Sequence, residues 1–214
     1  MSSENRVFEV NGHPIEIYSI PGFSEVDISP SLTRKLIPRE ELSDLGDFLR
    51  RRGSSIAFTT GVFDMIHIGH VRYLQLARSL GDVLFAGVNT DNSVRHLKGE
   101  GRPILDQNVR AEMLSYLGIV DYISYFDEPT GAESIRILKP NSYLCVEGSW
   151  EGDIATKEEV IAMSELGGKV YYTPRQGPTI STSQIIEKIG TGAIEQLAKD
   201  LPRIWREYLK FDKK

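Results

Sequence analysis

The spacing of apolar and polar positions changes along this chain. From Ile56 onward, short apolar runs alternate with stretches whose apolar residues recur every three to four positions. The runs predict strands at 55–60, 83–88, 121–125, 142–146 and 169–173. The longer spacing predicts helices at 70–80, 90–97, 107–117, 131–138, 155–166 and 182–189. Buried strands alternating with helices imply an α/β class: a Rossmann-like parallel sheet, helices on both faces, joined by right-handed crossovers. Ligands on such sheets bind outside the carboxyl ends of the strands.

The flanks read differently. Val7-Phe8-Glu9-Val10 and Ile15-Glu16-Ile17-Tyr18 alternate around Asn11-Gly12-His13-Pro14, which predicts a hairpin turning at Asn-Gly. Pro21-Gly22 and Ser29-Pro30-Ser31 then read as chain breaks. Ile37-Pro38-Arg39-Glu40-Glu41 opens a helix, and Leu42, Leu45, Phe48 and Leu49 give it an apolar face. After Gly190-Thr191-Gly192, the residues Ile204, Trp205, Tyr208 and Leu209 predict a further helix that docks on the core or on a partner subunit. The expected organisation is an N-terminal extension (1–35), a main domain (36–190) and a C-terminal helical segment (191–214).

Composition narrows the classes. At 40% apolar and 26% charged the chain is an ordinary globular sequence, and 214 residues suffice for one well-buried domain with appendages. A net charge of −5 gives no footprint for nucleic acid or an anionic membrane, so anionic substrates must be met by local cations. One cysteine, Cys145, suits a reducing compartment. With neither a signal-peptide pattern nor a transmembrane run, the expected location is cytoplasmic.

The chemistry centres on Thr60-Gly61-Val62-Phe63-Asp64-Met65-Ile66-His67-Ile68-Gly69-His70. A β-rich run leads in and a helical pattern leads out, so two histidines three apart sit at a strand-to-helix junction. Free N–H groups and the helix dipole favour a phosphate there. A neutral imidazole donates one hydrogen bond and a protonated one adds a charge. Spaced i,i+3, His67 and His70 can face one phosphate chain, and Gly69 lets phosphate approach the backbone. Zinc would want a third histidine or a cysteine at matching spacing, which is missing; magnesium carried mainly by a triphosphate needs few protein ligands.

Gly61, Phe63, Asp64, His67, Gly69 and His70 together resemble the HxGH signature of the cytidylyltransferase-like nucleotidyltransferases. These enzymes join a nucleoside monophosphate to a phosphorylated metabolite. The resemblance implies that His67 and His70 stabilise the transition state, and that the loop Thr60, Gly61, Val62, Phe63, Asp64 and Gly69 lines the nucleotide site. It implies that Lys98, in Leu97-Lys98-Gly99-Glu100-Gly101-Arg102-Pro103, and Arg110, one element later, hold acceptor and α-phosphate. Ile180, Ser181, Thr182 and Ser183 match the family's ISTS motif, whose hydroxyls and amides hold the β- and γ-phosphates. As a bare pattern the same hydroxyls read as helix caps. Arg175 lies five residues before Ile180, one more than the family spacing.

The resemblance covers roughly 35–190 and is strongest to the adenylyltransferase domain of the bifunctional ADP-heptose synthases. Phe58-Thr59-Thr60-Gly61, Val88-Asn89-Thr90-Asp91, Arg102-Pro103 and Phe126-Asp127-Glu128-Pro129-Thr130 fit that domain. One stretch departs. Where those enzymes carry Lys-Gly-Gly-Asp-Tyr, this chain has Val146-Glu147-Gly148-Ser149-Trp150, followed by a Trp150-Glu151-Gly152 similar to glycerol-3-phosphate cytidylyltransferases. Glu147 is the residue expected to meet a sugar hydroxyl or a base amine. The expected partners are therefore ATP or CTP with magnesium and a phosphorylated sugar or polyol, on a homodimer. Heptose 1-phosphate with ATP ranks first, CTP with a glycerol-phosphate-like acceptor second, and a nucleotide sensor without turnover third.

Overall fold

The computed structural model describes residues 6–10, 13–17, 30–147, 154–174 and 182–192. Strands β1 (Arg6–Val10) and β2 (His13–Ile17) pair antiparallel, with Val10 opposite His13. Asn11-Gly12 is thus all that separates them, and His13-Pro14 belongs to the second strand rather than to the turn. Helix α1 (Pro30–Lys35) occupies the stretch that reads as a break. Proline is a breaker only inside a helix; at the first turn its missing N–H costs nothing and its φ is already helical. Leu32 on this helix is buried, and Ser31 Oγ donates to Ser115 O at 3.0 Å.

Leu36 bridges to Ile123 at the sheet margin. A 3-10 turn (Arg39–Glu41) follows the extended Pro38, and α2 (Leu42–Arg51) begins only after it, later than the sequence reading has it. Then come β3 (Ile56–Gly61), α3 (Ile68–Arg78), β4 (Val83–Asn89), α4 (Asp91–Lys98), α5 (Gln107–Ser115), β5 (Tyr122–Phe126), α6 (Ala132–Leu138), β6 (Ser142–Val146), α7 (Glu158–Glu165) and β7 (Lys169–Thr173). Residues 182–192 form α8. The strands lie parallel in the order β5-β4-β3-β6-β7. That is the parallel α/β sheet expected from the alternation of strand and helix.

Alternate residues of β3, β4, β5 and β6 feed two cores. Ala57, Leu84, Ala86, Val88, Ile123 and Leu144 pack against Leu32, Tyr73, Leu74, Ala77, Ala111 and Leu114 from α1, α3 and α5. Ile56, Phe58, Phe85, Tyr143 and Cys145 point the other way, onto Leu42, Leu49, Ala132, Ile135, Leu138 and Met163 from α2, α6 and α7. The period of two along a strand sorts these sets, and it leaves both faces covered. Among the described residues, no helix is long and apolar enough to cross a membrane.

Candidate active site

The carboxyl ends of β3 and β4 lead into one cluster of loops. Past Gly61 the chain turns sharply, with Phe63 at φ 52° and Met65 at φ 47°, both left-handed. Each such non-glycine residue costs about 1–3 kcal/mol, so the surroundings must hold the loop in place. Phe63 is buried beneath Gly61, where an added Cβ would stand 3.1 Å from its ring. Asp64 supplies the other anchor. Its buried carboxylate accepts from the N–H of Ile104 (2.9 Å) and Leu105 (3.1 Å) and meets Arg102 Nη1 at 3.4 Å. The residue expected to line the nucleotide site thus ties the histidine loop to the segment between α4 and α5.

His67 is the N-cap of α3. Its Nδ1 accepts the Gly69 N–H at 3.1 Å, while His70 Nδ1 accepts the His67 N–H at 3.3 Å. This is a capping box built from two imidazoles in place of the usual Ser and Glu. A ring nitrogen that accepts carries no proton, so in both neutral rings the proton sits on Nε2. The rings lie side by side, 4.1 Å between centroids and tilted by 33°, and His70 stands edge-on to Phe63 at 5.8 Å. Burial pushes the His70 pKa down from 6.5 to about 4, helped by the charges of His67 and Lys98 and opposed by Asp64. Burial lowers His67 as well. At neutral pH the pair is uncharged, and each ring has one Nε2–H to give to an oxyanion.

Three cations close to this loop have different fates. Lys98 ends α4 close enough to His70 to act on its protonation. Arg110 is not presented to a ligand: its side chain is fully buried. Nε donates to Leu105 O at 3.0 Å, Nη1 to Val62 O at 2.5 Å, and Nη2 to Asn89 O at 2.7 Å and Asp91 Oδ1 at 2.8 Å. It staples the loops after β3 and β4 to the start of α5, and Val62 contributes its carbonyl to that staple. Arg102, which the resemblance leaves without a role, stands in the site instead. Besides Asp64 it meets Ser183 Oγ at 3.3 Å through Nη2.

Helix α8 closes the cluster. Thr182 Oγ1 donates to Asp64 O at 2.7 Å, so residues 118 apart in sequence meet at the mouth. Thr182 and Ser183 therefore join His67, Gly69, His70, Asp64 and Arg102, whereas Ile180 and Ser181 lie outside the described residues. Thr60 turns away: its hydroxyl pairs with Tyr143 OH at 3.0 Å, and Tyr143 OH reaches Glu159 Oε1 at 3.4 Å on the opposite face of the sheet. Glu147 is exposed at the end of β6, its N–H bonded to Thr173 O at 2.8 Å, while Gly148 to Trp150 lie outside the described residues. Two features escape the sequence reading, the burial of Arg110 and the position of Arg102. Both depend on partners 38 to 81 residues away in chain order for Arg102, and up to 48 away for Arg110.

Comparison with known proteins adds a second line. The model of the family described as Cytidylyltransferase-like matches residues 58–188. The Bifunctional protein HldE of Syntrophotalea carbinolica is 42% identical over 158 residues, 72% of this chain and 31% of that protein. Its counterpart in Geobacter metallireducens is 38% identical over 176 residues, 82% of this chain and 34% of that protein. The one in Campylobacter jejuni is 37% identical over 183 residues, 86% of this chain and 36% of that protein. The chain thus spans about a third of the length of these relatives. Among solved structures, the lipopolysaccharide core biosynthesis protein from Thermoplasma volcanium aligns at 28% identity and TM-score 0.49, covering 59% of this chain and 99% of that one.

Proposed function

Because the chain belongs to the cytidylyltransferase-like family, we propose that it is a nucleotidyltransferase acting on a nucleoside triphosphate and a phosphorylated sugar, specifically a heptose 1-phosphate adenylyltransferase. A phosphate oxygen of the acceptor attacks the α-phosphorus of ATP; the bond from that phosphorus to the β-phosphate bridging oxygen breaks, and pyrophosphate leaves. The protein has little covalent work to do. It must align two anions and stabilise the charge that grows on the α-phosphate and the leaving group.

One observation carries the reading: the reciprocal capping of His67 and His70, which fixes both Nε2–H donors at the N-terminus of α3. Donors locked before substrate arrives need no reorganisation during reaction, which is the condition for strong oxyanion stabilisation. Thr182 and Ser183 at the start of α8, and Lys98 at the end of α4, would hold the phosphates on either side. In this proposal the main domain spans 36–190, with Ile180 and Ser181 as triphosphate ligands and Glu147 facing the acceptor or base. Asp64 spends its carboxylate on two backbone N–H groups and Arg102, so a magnesium ion would be carried mainly by the triphosphate, as that ion's small demand for protein ligands allows. It would supply charge neutralisation on the β- and γ-phosphates.

The choice of ATP and a heptose phosphate rests on the likeness to the ADP-heptose synthase domain and on the 37–42% identity to the three relatives described above. Exposed Val109 and Met113 on α5, with Tyr116 at its C-cap, support a homodimer, which sedimentation equilibrium tests. The deciding experiment measures pyrophosphate release from ATP and CTP against a panel of sugar and polyol phosphates. Release with ATP and heptose 1-phosphate is expected. Release with CTP and glycerol 3-phosphate alone would replace this reading with a cytidylyltransferase, and nucleotide binding without any release would leave a sensor.

A further inference from the structure

The site holds two arginines eight positions apart, and their surroundings assign them different work. Arg110 has no exposed surface and four hydrogen bonds to the protein, leaving no face for a ligand. Arg102 keeps 21% of its side chain exposed. Among the described residues its contacts are two long ones, Nη1 to Asp64 Oδ2 at 3.4 Å and Nη2 to Ser183 Oγ at 3.3 Å. Both sit at the outer edge of useful hydrogen bonding, where a charged donor gains little. Its three partners in space are the histidine loop, the start of α8 and the glycine-flanked turn that carries it. Gly99 and Gly101, at φ +84° and +83°, let that turn adopt a path closed to other residues.

Asp64 does not depend on this arginine. With Arg102 withdrawn it still accepts from Ile104 and Leu105 N–H groups, so the guanidinium can leave without orphaning a buried carboxylate. The guanidinium touches Asp64 of the histidine loop on one side and Ser183 of α8 on the other, so it stands between the two segments that the proposed function sets on the phosphates. The planar fork of an arginine binds phosphate oxygens in pairs, which the long Asp64 and Ser183 contacts cannot match.

We propose that Arg102 is a phosphate-contacting catalytic residue that grips the β- and γ-phosphates, the pyrophosphate that will leave, and by that grip joins α8 to the histidine loop. The inference rests on the nucleotidyltransferase reading and assigns a residue that reading leaves unused. The test is calorimetric titration, in the presence of magnesium, of the wild type, Arg102→Ala and Arg102→Lys with ATP and AMP, and with CTP and CMP. Arg102→Ala should weaken the bound triphosphate by about ten- to a hundredfold, the scale of one or two charge-assisted hydrogen bonds, and leave the monophosphate within about twofold. Arg102→Lys, which keeps the charge and loses the fork, should recover part of the loss and serves as the reading should the alanine variant not fold. Equal weakening of triphosphate and monophosphate would make Arg102 a structural tie and overturn the proposal, as would an unchanged triphosphate affinity. A wild type that binds none of the four nucleotides would instead remove the underlying nucleotidyltransferase reading.

Discussion

Besides Asp64, the described residues bury a charge near the carboxyl edge of the sheet on each face, and the two are held differently. On the face of α3 and α5, Arg110 is fully enclosed and satisfied by three carbonyls and one carboxylate, all within 3.0 Å. On the face of α6 and α7, Glu159 is almost as buried, but its hydrogen bonds are longer. Its Oε1 accepts from Gly131 N–H at 3.3 Å and Tyr143 OH at 3.4 Å. Lys157 Nζ forms an ion pair with Oε2 at 2.8 Å. The tightly bonded charge underlies the histidine loop, through the carbonyl of Val62. The other lies toward β6, the strand that runs into Glu147 and the stretch where the sequence departs from the ADP-heptose synthase pattern. The charge with the shorter hydrogen bonds thus lies on the side of the histidine loop, and the one with the longer hydrogen bonds on the side of β6 and Glu147.

The strongest way to break that comparison is Arg110→Met. A methionine fills much of the volume but leaves Val62 O, Asn89 O and Leu105 O without their donor and Asp91 without its cation. Removing one partner of a buried charged network costs about 3–5 kcal/mol, so the urea midpoint should fall steeply. Arg110→Lys should rescue little, since one ammonium cannot reach acceptors spread over three loops. A loss under about 1 kcal/mol would mean that Arg110 is no staple, and the contrast between the faces would go with it.

How far all this could be read from the chain alone follows the range of the interactions involved. Strands at 83–88 and 142–146 announce themselves through apolar runs, because inner strands of a parallel sheet are buried on both faces and local pattern is enough. The strand at 169–173 lies at the sheet edge, mostly exposed, and is legible from its valine and tyrosines instead. Helix α1 hides because Pro30 looks like a stop, although the first turn of a helix is where proline fits. The histidine pair is legible as a phosphate site from residue type and spacing, but its mutual capping is a matter of Nδ1 positions that spacing does not state. The two arginines are the least legible part. Arg102 and Arg110 present the same letter in neighbouring segments, and only Val62, Asn89 and Ser183, brought in by the fold, decide which is fully buried and which keeps an exposed face.

Next in size is His70→Ala. Loss of one preorganised donor to a transition-state oxyanion costs about a hundred- to a thousandfold in turnover. The chain should still fold, giving up only a cap contact of about 0.5–2 kcal/mol. Near-normal turnover would take His70 out of the reaction. The same residue predicts a pH effect on stability. Its pKa is 6.5 in the reference state and about 4 when folded, so between those values the unfolded chain takes up a proton that the folded protein refuses. The stability contributed by the neutral, buried ring is complete above about pH 6.5 and is lost progressively as pH falls toward 4. A His70→Gln variant, with nothing to protonate, should show a shallower decline over that window in urea titrations; parallel declines would contradict the assignment.

The smallest expected effect is the most diagnostic for the face with the longer hydrogen bonds. Glu159→Gln keeps an oxygen for Gly131 N–H and Tyr143 OH and removes only the negative charge opposite Lys157. Because those hydrogen bonds are long, and because a lysine stem can carry its ammonium outward to water, the loss should be about 1 kcal/mol. Thr60 hangs from the same chain through Tyr143, so nucleotide affinity reports on whether a change at Glu159 reaches the site. Affinity within about twofold of wild type keeps the two halves independent. A stability loss equal to that of Arg110→Met, or a tenfold weaker nucleotide, would show that the carboxylate is as integral to the cradle as the arginine, and the contrast between the two faces would fall.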